Sequence, residues 1–395
     1  MSKDKLIPEL RFSEFVHEGE WKIKKVGELF EITRGYVLAM SSVKEEQSIE
    51  NPYPVFSSQT KNNGLAGFYN EYLYEDAITW TTDGANAGDV NYRNGKFYCT
   101  NVCGVLINKS GYANKCIAEL INSVSKKYVS YVGNPKLMNG IMSQIKISIP
   151  SIKEQQKIAS CLSSLDEVIA VHSQKLELLK DHKKGLMQNL FPQEGEKIPK
   201  LRFPEFVNEG EWERKILSEV ADYENGKAHE QDIVENGTFI VVNSKFISSD
   251  GETKKYSNTS FCLANIGDIL MVLSDIPNGK AIAKCFFVDE ENKYTVNQRI
   301  CKITPFGCDQ LFLHYIMNRN SYFLAFDDGV KQTNLRNEDV QNFPFLIPKN
   351  PNEQQKIVSC LSSLDTLIAA QAEKIGQLKL HKKGLMQGLF PKMMD

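Results

Sequence analysis

Asparagine, glutamine, serine, threonine and basic side chains gather in short runs in two regions of this chain, between segments that read as strands. In the first region the runs are Ser57-Ser58-Gln59-Thr60-Lys61-Asn62-Asn63, Thr81-Thr82-Asp83 with Asn86, and Thr100-Asn101. In the second they are Asn243-Ser244-Lys245, Ser274 with Asn278 and Lys280, Asn297-Gln298-Arg299, and Lys331-Gln332 with Asn334 and Arg336. Amide side chains pair bidentately with adenine, Arg and Lys pair with guanine, and hydroxyls serve several bases, so such runs suit reading base edges in a duplex groove. Polar side chains also suit any solvated turn, so each residue taken singly is a weak signal.

Catalytic signatures are missing where they would be expected. Asn51-Pro52-Tyr53-Pro54 has the residue types of an adenine-methyltransferase motif in the wrong order, and no glycine-rich loop follows a strand to hold a methyl donor. Glu252-Thr253-Lys254 matches the end of a nuclease carboxylate-x-lysine motif, but Asp250 is too near in sequence to be its distant partner. There is no phosphate-binding lysine loop and no H-E-x-x-H, and the six histidines do not cluster. The nine cysteines form no C-x-x-C pair, so they read as buried thiols rather than a metal or disulfide framework. We expect no catalysis, no metal and no cofactor on this chain.

The elements that would carry the polar runs are duplicated. EQQKIASCLSSLDEVIAVHSQKLELLKDHKKGLMQNL, Glu154 to Leu190, is written again from Glu353 to Leu389. In the first copy Ile158, Leu162, Leu165, Ile169, His172, Leu176, Leu179, Lys183, Leu186 and Leu190 alternate spacings of four and three, the rhythm of a helix burying one seam. The second copy repeats it from Ile357 to Leu389, with Gln371 and Lys382 as its polar members. About 37 residues at 1.5 Å each make a rod of roughly 55 Å. A lead-in segment, PELRFSEFVHEGEW, is also repeated, as PKLRFPEFVNEGEW.

Between brackets and rods lie two divergent regions. The first reads as strands at Tyr53–Phe56, Ala77–Thr82 and Val102–Ile107, with NNG, DGANAG and YRNG as turns and a helix over Cys116–Val132. The second reads as strands at Phe239–Val242, Ile269–Leu273, Ala281–Val288 and Arg299–Thr304, then a helix over Asp309–Phe326. The expected division is 1–21 lead-in, 22–150 first domain, 151–191 first rod, 192–212 linker and second lead-in, 213–349 second domain, and 350–395 second rod and C-terminus. The fold class is α+β: two strand-rich domains separated by two long helices that form an antiparallel intramolecular coiled coil, with a pseudo-twofold internal repeat. Polar seam residues should face each other. The matching register sets His172 opposite Lys382, Lys183 opposite Gln371, Leu176 opposite Leu378 and Leu179 opposite Ile375; in the plainest reading of the helix, Asp166 and Lys183-Lys184 are solvent-face or flanking residues.

The charged N-terminus offers no secretory signal and no apolar run of eighteen residues offers a membrane span, so a cytoplasmic protein is expected. The formal net charge of −2 does not favour strong nonspecific nucleic-acid binding by the chain alone.

The combination of PELRF and PKLRF followed by GEW, two P-x-x-x-EQQKI or closely similar helix starts, two KKGLMQ-x-LFP helix ends, and SSQTKNNG with TWTTDGANAG resembles the specificity subunit of type I restriction-modification systems over nearly the whole chain. The resemblance implies that the two divergent regions are target-recognition domains, each reading half of a split, asymmetric site in double-stranded DNA. It also implies that the rods set the unread spacer. The implied partners are two methyltransferase subunits, which would carry S-adenosylmethionine and modify adenine, and restriction/translocase subunits, which would use ATP. Two other classes fit the residues alone: a scaffold with two protein-binding domains on a coiled coil, and the detached recognition module of a bipartite-site methyltransferase-nuclease.

Overall fold

The computed structural model describes residues 6–58, 62–277 and 279–391. The chain forms two compact units, one of Met1–Lys175 with Gln371–Asp395 and one of Leu176–Ala370. Both boundaries fall inside the long helices Ile152–Leu190 and Pro351–Leu389, each of 39 residues. Each unit therefore holds one globular region, the adjoining part of one long helix and the far part of the other. No helix among the described residues is long and apolar enough to cross a membrane.

In the first unit a six-stranded sheet runs in the order Glu31–Arg34, Cys103–Ile107, Tyr74–Thr81, Val90–Cys99, Tyr53–Phe56, Leu65–Tyr69. Neighbours are antiparallel except Tyr53–Phe56, which runs parallel to Val90–Cys99. The helix Lys115–Ser125, whose N-cap Asn114 accepts from Ile117 N, sets Cys116, Ile117 and Ile121 against Ile78, Trp80 and Leu106 of the sheet. Trp80 lies so close to the neighbouring strand that a Cβ on Gly104 would sit 2.1 Å from its ring. A separate strand pair, Lys22–Lys25 with Lys146–Ile149, brings the first and last residues of the globular region together at the start of the long helix.

The second unit has a four-stranded antiparallel sheet, Ala221–Asn225, Ile300–Pro305, Ile269–Val272, Cys285–Phe287, and a five-stranded sheet centred on Phe239–Val242. Its ends are joined in the same way, Glu213–Ile216 pairing with Pro344–Ile347.

The repeated brackets meet at these joints. Arg11 Nε and Nη2 donate to Glu154 Oε1 and Oε2, both at 2.8 Å, with side chains 6% and 1% exposed. Arg202 makes the same fork to Glu353 at 2.7 and 2.8 Å, again with 6% and 1% exposure. The next residue, Gln155, is also buried: its amide donates to Pro150 O and accepts from Asn114. Gln354 donates to Pro348 O and accepts from Asp309 N. The LRF and EQQ motifs are therefore the two halves of one buried joint.

Several expectations are corrected. YRNG is no turn, because Tyr92 to Gly95 lie inside the strand Val90–Cys99. Gly95 (φ 72°) and Asp76 (φ 47°) instead mark a bulge, with Gly95 N donating to Asp76 at 2.7 Å, the other structural use of turn-favouring residues. The helix expected over Asp309–Phe326 breaks into Gln310–Met317 and Ser321–Leu324, because Arg319 takes φ 58° and Asn320 caps a new start. The helix expected through Val132 gives way at Lys126 to a short 3-10 turn. Of the cysteines, six are buried, but Cys161, Cys308 and Cys360 are only partly so.

The helix seam differs too. Within the first unit the helices run antiparallel, but Lys382 donates to Asp166 at 2.7 Å and His172 meets Gln371 at 2.8 Å. Lys382 also reaches Glu119, while Lys115 joins both carboxylates. Within the second unit Lys183 pairs with Asp365 at 2.5 Å. The partner of Lys183 thus lies between one and two turns from the expected one and that of His172 about three turns away, and Asp166 is not a solvent-face residue. A half-buried ammonium is stabilised more by a carboxylate than by a neutral imidazole or amide, so charge rather than seam polarity selects the partner.

Tyr315 donates to Asp365 at 2.7 Å, and next to it His314 has a buried Nδ1 without a partner among the described residues. Burial, reinforced by Lys183 and opposed by Asp365, pushes His314 down to about 4 from 6.5. Its neutral form belongs to the folded unit, so the unfolded chain takes up a proton first and stability falls as pH drops from about 6.5 to about 4. His314→Phe should flatten the stability of the second unit across that window, measured by urea unfolding at several pH values; an unchanged slope would assign the acid loss to other groups. Glu154→Gln leaves the Arg11 guanidinium buried without its counter-charge and should destabilise the first unit by about 3–5 kcal/mol. The urea midpoint reads this, and a loss below about 1 kcal/mol would mean that the pair is screened like a surface bridge.

Candidate nucleic-acid interface

In the first unit the polar runs converge because they follow neighbouring strands. Ser57 and Ser58 leave Tyr53–Phe56, Thr82 and Asp83 leave Tyr74–Thr81, and Thr100-Asn101 links Val90–Cys99 to Cys103–Ile107. Thr100 N donates to Phe56 O at 2.9 Å, Thr100 Oγ1 to Ser57 Oγ at 3.0 Å, and Asn86 Nδ2 to Ser58 O at 3.1 Å. Asn62, Asn63 and Asn101 are exposed. Asn62 and Asn63 adopt left-handed φ values of 50° and 51°, which asparagine tolerates well. Thr82 is wholly interior, its hydroxyl within reach of Asp83 Oδ2 and Val102 O, so it supports the loop from behind. Gln59, Thr60 and Lys61 lie outside the described residues.

The strand ends enclose an open cavity of about 240 Å³. Ser57, Asn63, Thr79, Thr81, Asn91 and Arg93 line it, with Asp89 and Asn122 beside them. Arg93 is 9% exposed and held on three sides: Nε donates to Thr79 Oγ1 at 3.0 Å, Nη2 donates to Asn63 O at 2.7 Å, and the guanidinium lies 3.7 Å from the centre of the Phe56 ring. It forms no ion pair among the described residues. Burial depresses its pKa to about 10, which leaves it charged at neutral pH.

Arg93 is not among the residues expected from the sequence, because YRNG reads as a turn. The available signal is Asn91-Tyr92-Arg93, a spacing that puts the asparagine and the arginine on one face of a strand.

In the second unit, backbone bonds join the runs in series. Asn297 N donates to Val242 O, next to Asn243; Leu273 N donates to Arg299 O; Leu335 N donates to Leu273 O. Ser274 and Asn334 are partners in a two-stranded ladder, and Gln332 Nε2 donates to Ser274 Oγ at 2.6 Å. Asn243 caps the helix Ser244–Ser248, accepting from Phe246 N, while Ser244 Oγ is buried without a partner among the described residues. Gln298 donates to Glu230, and Asn297 is half-buried. Lys245, Lys280, Arg299, Lys331, Gln332, Asn334 and Arg336 are exposed. Asn278 lies outside the described residues.

A duplicated α+β chain with one cluster of polar strand-end loops in each half has the make-up of a recognition protein. The chain belongs to the family described as type I restriction modification DNA specificity domain, which matches it twice, over residues 18–181 and 209–380. It is a specificity subunit, the noncatalytic recognition member of such a system.

Among relatives, the N-terminal part of a type I specificity subunit from Mycoplasma pneumoniae is 40% identical over 148 residues, covering 36% of this chain and 76% of that protein. The MjaVIII specificity subunit of Methanocaldococcus jannaschii is 24% identical over 402 residues, covering 94% of this chain and 92% of its own. In fold, the chain is similar to the crystal structure of the type I S subunit from M. genitalium, with TM-score 0.66 and 15% identity over 98% of this chain and 100% of the other.

Gly64, at the cavity rim, takes φ +85°, and a Cβ there would lie 2.6 Å from Ser57 O. Gly64→Ala should therefore push Ser57 and Gly64 apart and destabilise the first unit by about 1–3 kcal/mol. Thermal unfolding measures this, and a change within about 0.5 kcal/mol would show that the loop is not held by that close approach.

Proposed function

We propose that this chain reads a split, asymmetric site in double-stranded DNA, one half through residues 22–150 and the other through residues 213–349. Around that site it docks two methyltransferase subunits, which methylate adenine, and restriction/translocase subunits. The double match to the DNA specificity family, one copy on each globular region, carries the reading. Recognition domains of unlike sequence present unlike donors and acceptors, so they select different bases. The two long helices, each about 58 Å at 1.5 Å per residue, are the element whose length specifies the unread spacer. Residues 1–21 and 192–212 serve as the lead-in segments that anchor the helix starts.

The base-reading candidates are the strand-end residues described above, apart from the interior Thr82. A net charge of −2 leaves much of the phosphate attraction to the partner subunits, so the isolated chain binds DNA weakly and loses it steeply with salt. S-adenosylmethionine and ATP belong to those partners, and the complex works in the cytoplasm, where its DNA is.

Mapping methylated adenines in a host that carries this chain and its partner subunits tests the reading. A split motif should appear, exchange of residues 22–150 should alter one half of it, and lengthening both long helices by equal insertions should change only the spacer. An unaltered methylome, or half-site bases that change with helix length, would refute it.

A further inference from the structure

Arg93 is a buried cation with no counter-ion among the described residues, and it faces an open and strongly polar cavity. Burying an unpaired guanidinium is unfavourable unless hydrogen bonds or a ligand compensate. Two of its nitrogens are satisfied by Thr79 and Asn63, whereas Nη1 has no acceptor among the described residues. Around it the cavity offers hydroxyls from Ser57 and Thr81 and amides from Asn91 and Asn122. Asn122 Oδ1 already accepts from Val90 N, so its remaining capacity is as a donor. Asp89 also lines the cavity, but its carboxylate is paired with Lys126 at 2.8 Å. The lining is thus a fixed guanidinium and several neutral donors around a space of about 240 Å³, ample for a tetrahedral oxyanion.

We infer that the cavity over Arg93 takes a phosphodiester oxyanion of the DNA backbone, with Arg93 as its charged clamp. This inference rests on the DNA-recognition reading above. Because Arg93 also holds Asn63 O and stacks on Phe56, an oxyanion seated there would fix Asn63 and the end of the strand Tyr53–Phe56 at a set distance from the duplex. Arg93 then acts in register and affinity, and the neighbouring loops act in base choice.

The experiment has two arms. In the first, the full chain is titrated with inorganic phosphate and with dimethyl phosphate at constant ionic strength, reading the fluorescence of Trp80, which lines the cavity. A saturable change is expected that chloride does not reproduce and that Asn91→Asp abolishes by placing a carboxylate next to Arg93. Absence of saturation by either phosphate would overturn the oxyanion site.

In the second arm, the complex with its methyltransferase subunits binds target duplex at a series of salt concentrations. Arg93→Met, and independently Asn91→Asp in case Arg93→Met does not fold, should lower the slope of log affinity against log salt by about one and leave the recognised bases unchanged. Relaxed selection at one base position with an unaltered slope would make Arg93 a base reader and overturn the clamp. An unaltered slope and motif, with phosphate still saturating the chain, would assign the cavity to free phosphate and overturn the DNA source. A wild-type complex that binds no DNA at all would refute the recognition reading instead, and the first arm alone would then decide whether the oxyanion site stands.

Discussion

A guanidinium and a carboxylate withdrawn from water each lose several kcal/mol of hydration, on the order of what their mutual attraction returns when both hydrogen bonds of the fork are made. Arg11–Glu154 and Arg202–Glu353 satisfy that condition in both units, with bond lengths that agree to about a tenth of an ångström. The consequence is positional more than energetic. Each pair permits one path for the lead-in across the start of a long helix. The adjacent Gln155 and Gln354 then bind the N-caps, Asn114 and Asp309, of a helix inside the globular region. Strand pairing between the first and last residues of that region closes the joint from its other side. Apart from that cap and its helix, the sequence between those strands can vary without disturbing the joint, which is why two globular regions of unlike sequence stand on repeated brackets.

The seam of the long helices obeys a second constraint with less symmetry. Asp166 and Asp365 are equivalent in the repeat, as are Lys183 and Lys382, and each unit uses one aspartate from one helix and one lysine from the other. Their surroundings differ. Lys382 shares its charge with Glu119 and Asp166 near Lys115, whereas Asp365 accepts from Tyr315 beside the buried His314. The same helix sequence is therefore completed by different chemistry from each globular region, and in each case the carboxylate determines which side chain the lysine meets.

Reading the sequence located both long helices to within about two residues at their starts, because ten seam positions per helix carry an unambiguous period. It also placed the polar runs at strand ends, since Gly/Asn/Asp clusters interrupt apolar runs there. Register escaped it, because pairing Lys382 with Asp166 depends on a charge balance with Glu119 and Lys115, which are remote in the chain. Arg93 escaped it for a different reason: a bulge and a turn use the same residues, and only the pairing of Gly95 with Asp76 distinguishes them. The break at Arg319 was equally hidden, since an arginine in left-handed backbone has no signature of its own.

The two sets of strand-end loops show a division of labour among side chains of similar chemistry. Ser57, Ser58, Asn86, Asn243, Ser274 and Gln332 already make bonds with their neighbours, through side chain or backbone, and these bonds hold the loops in one conformation. Lys245, Lys280 and Arg299 are exposed without a side-chain partner among the described residues. A loop ordered in advance loses less conformational entropy when it binds. A donor left unpaired on such a loop discriminates sharply, because a mismatched base leaves it unsatisfied in a desolvated contact. The side chains spent on the scaffold therefore restrict where the free groups beside them can reach.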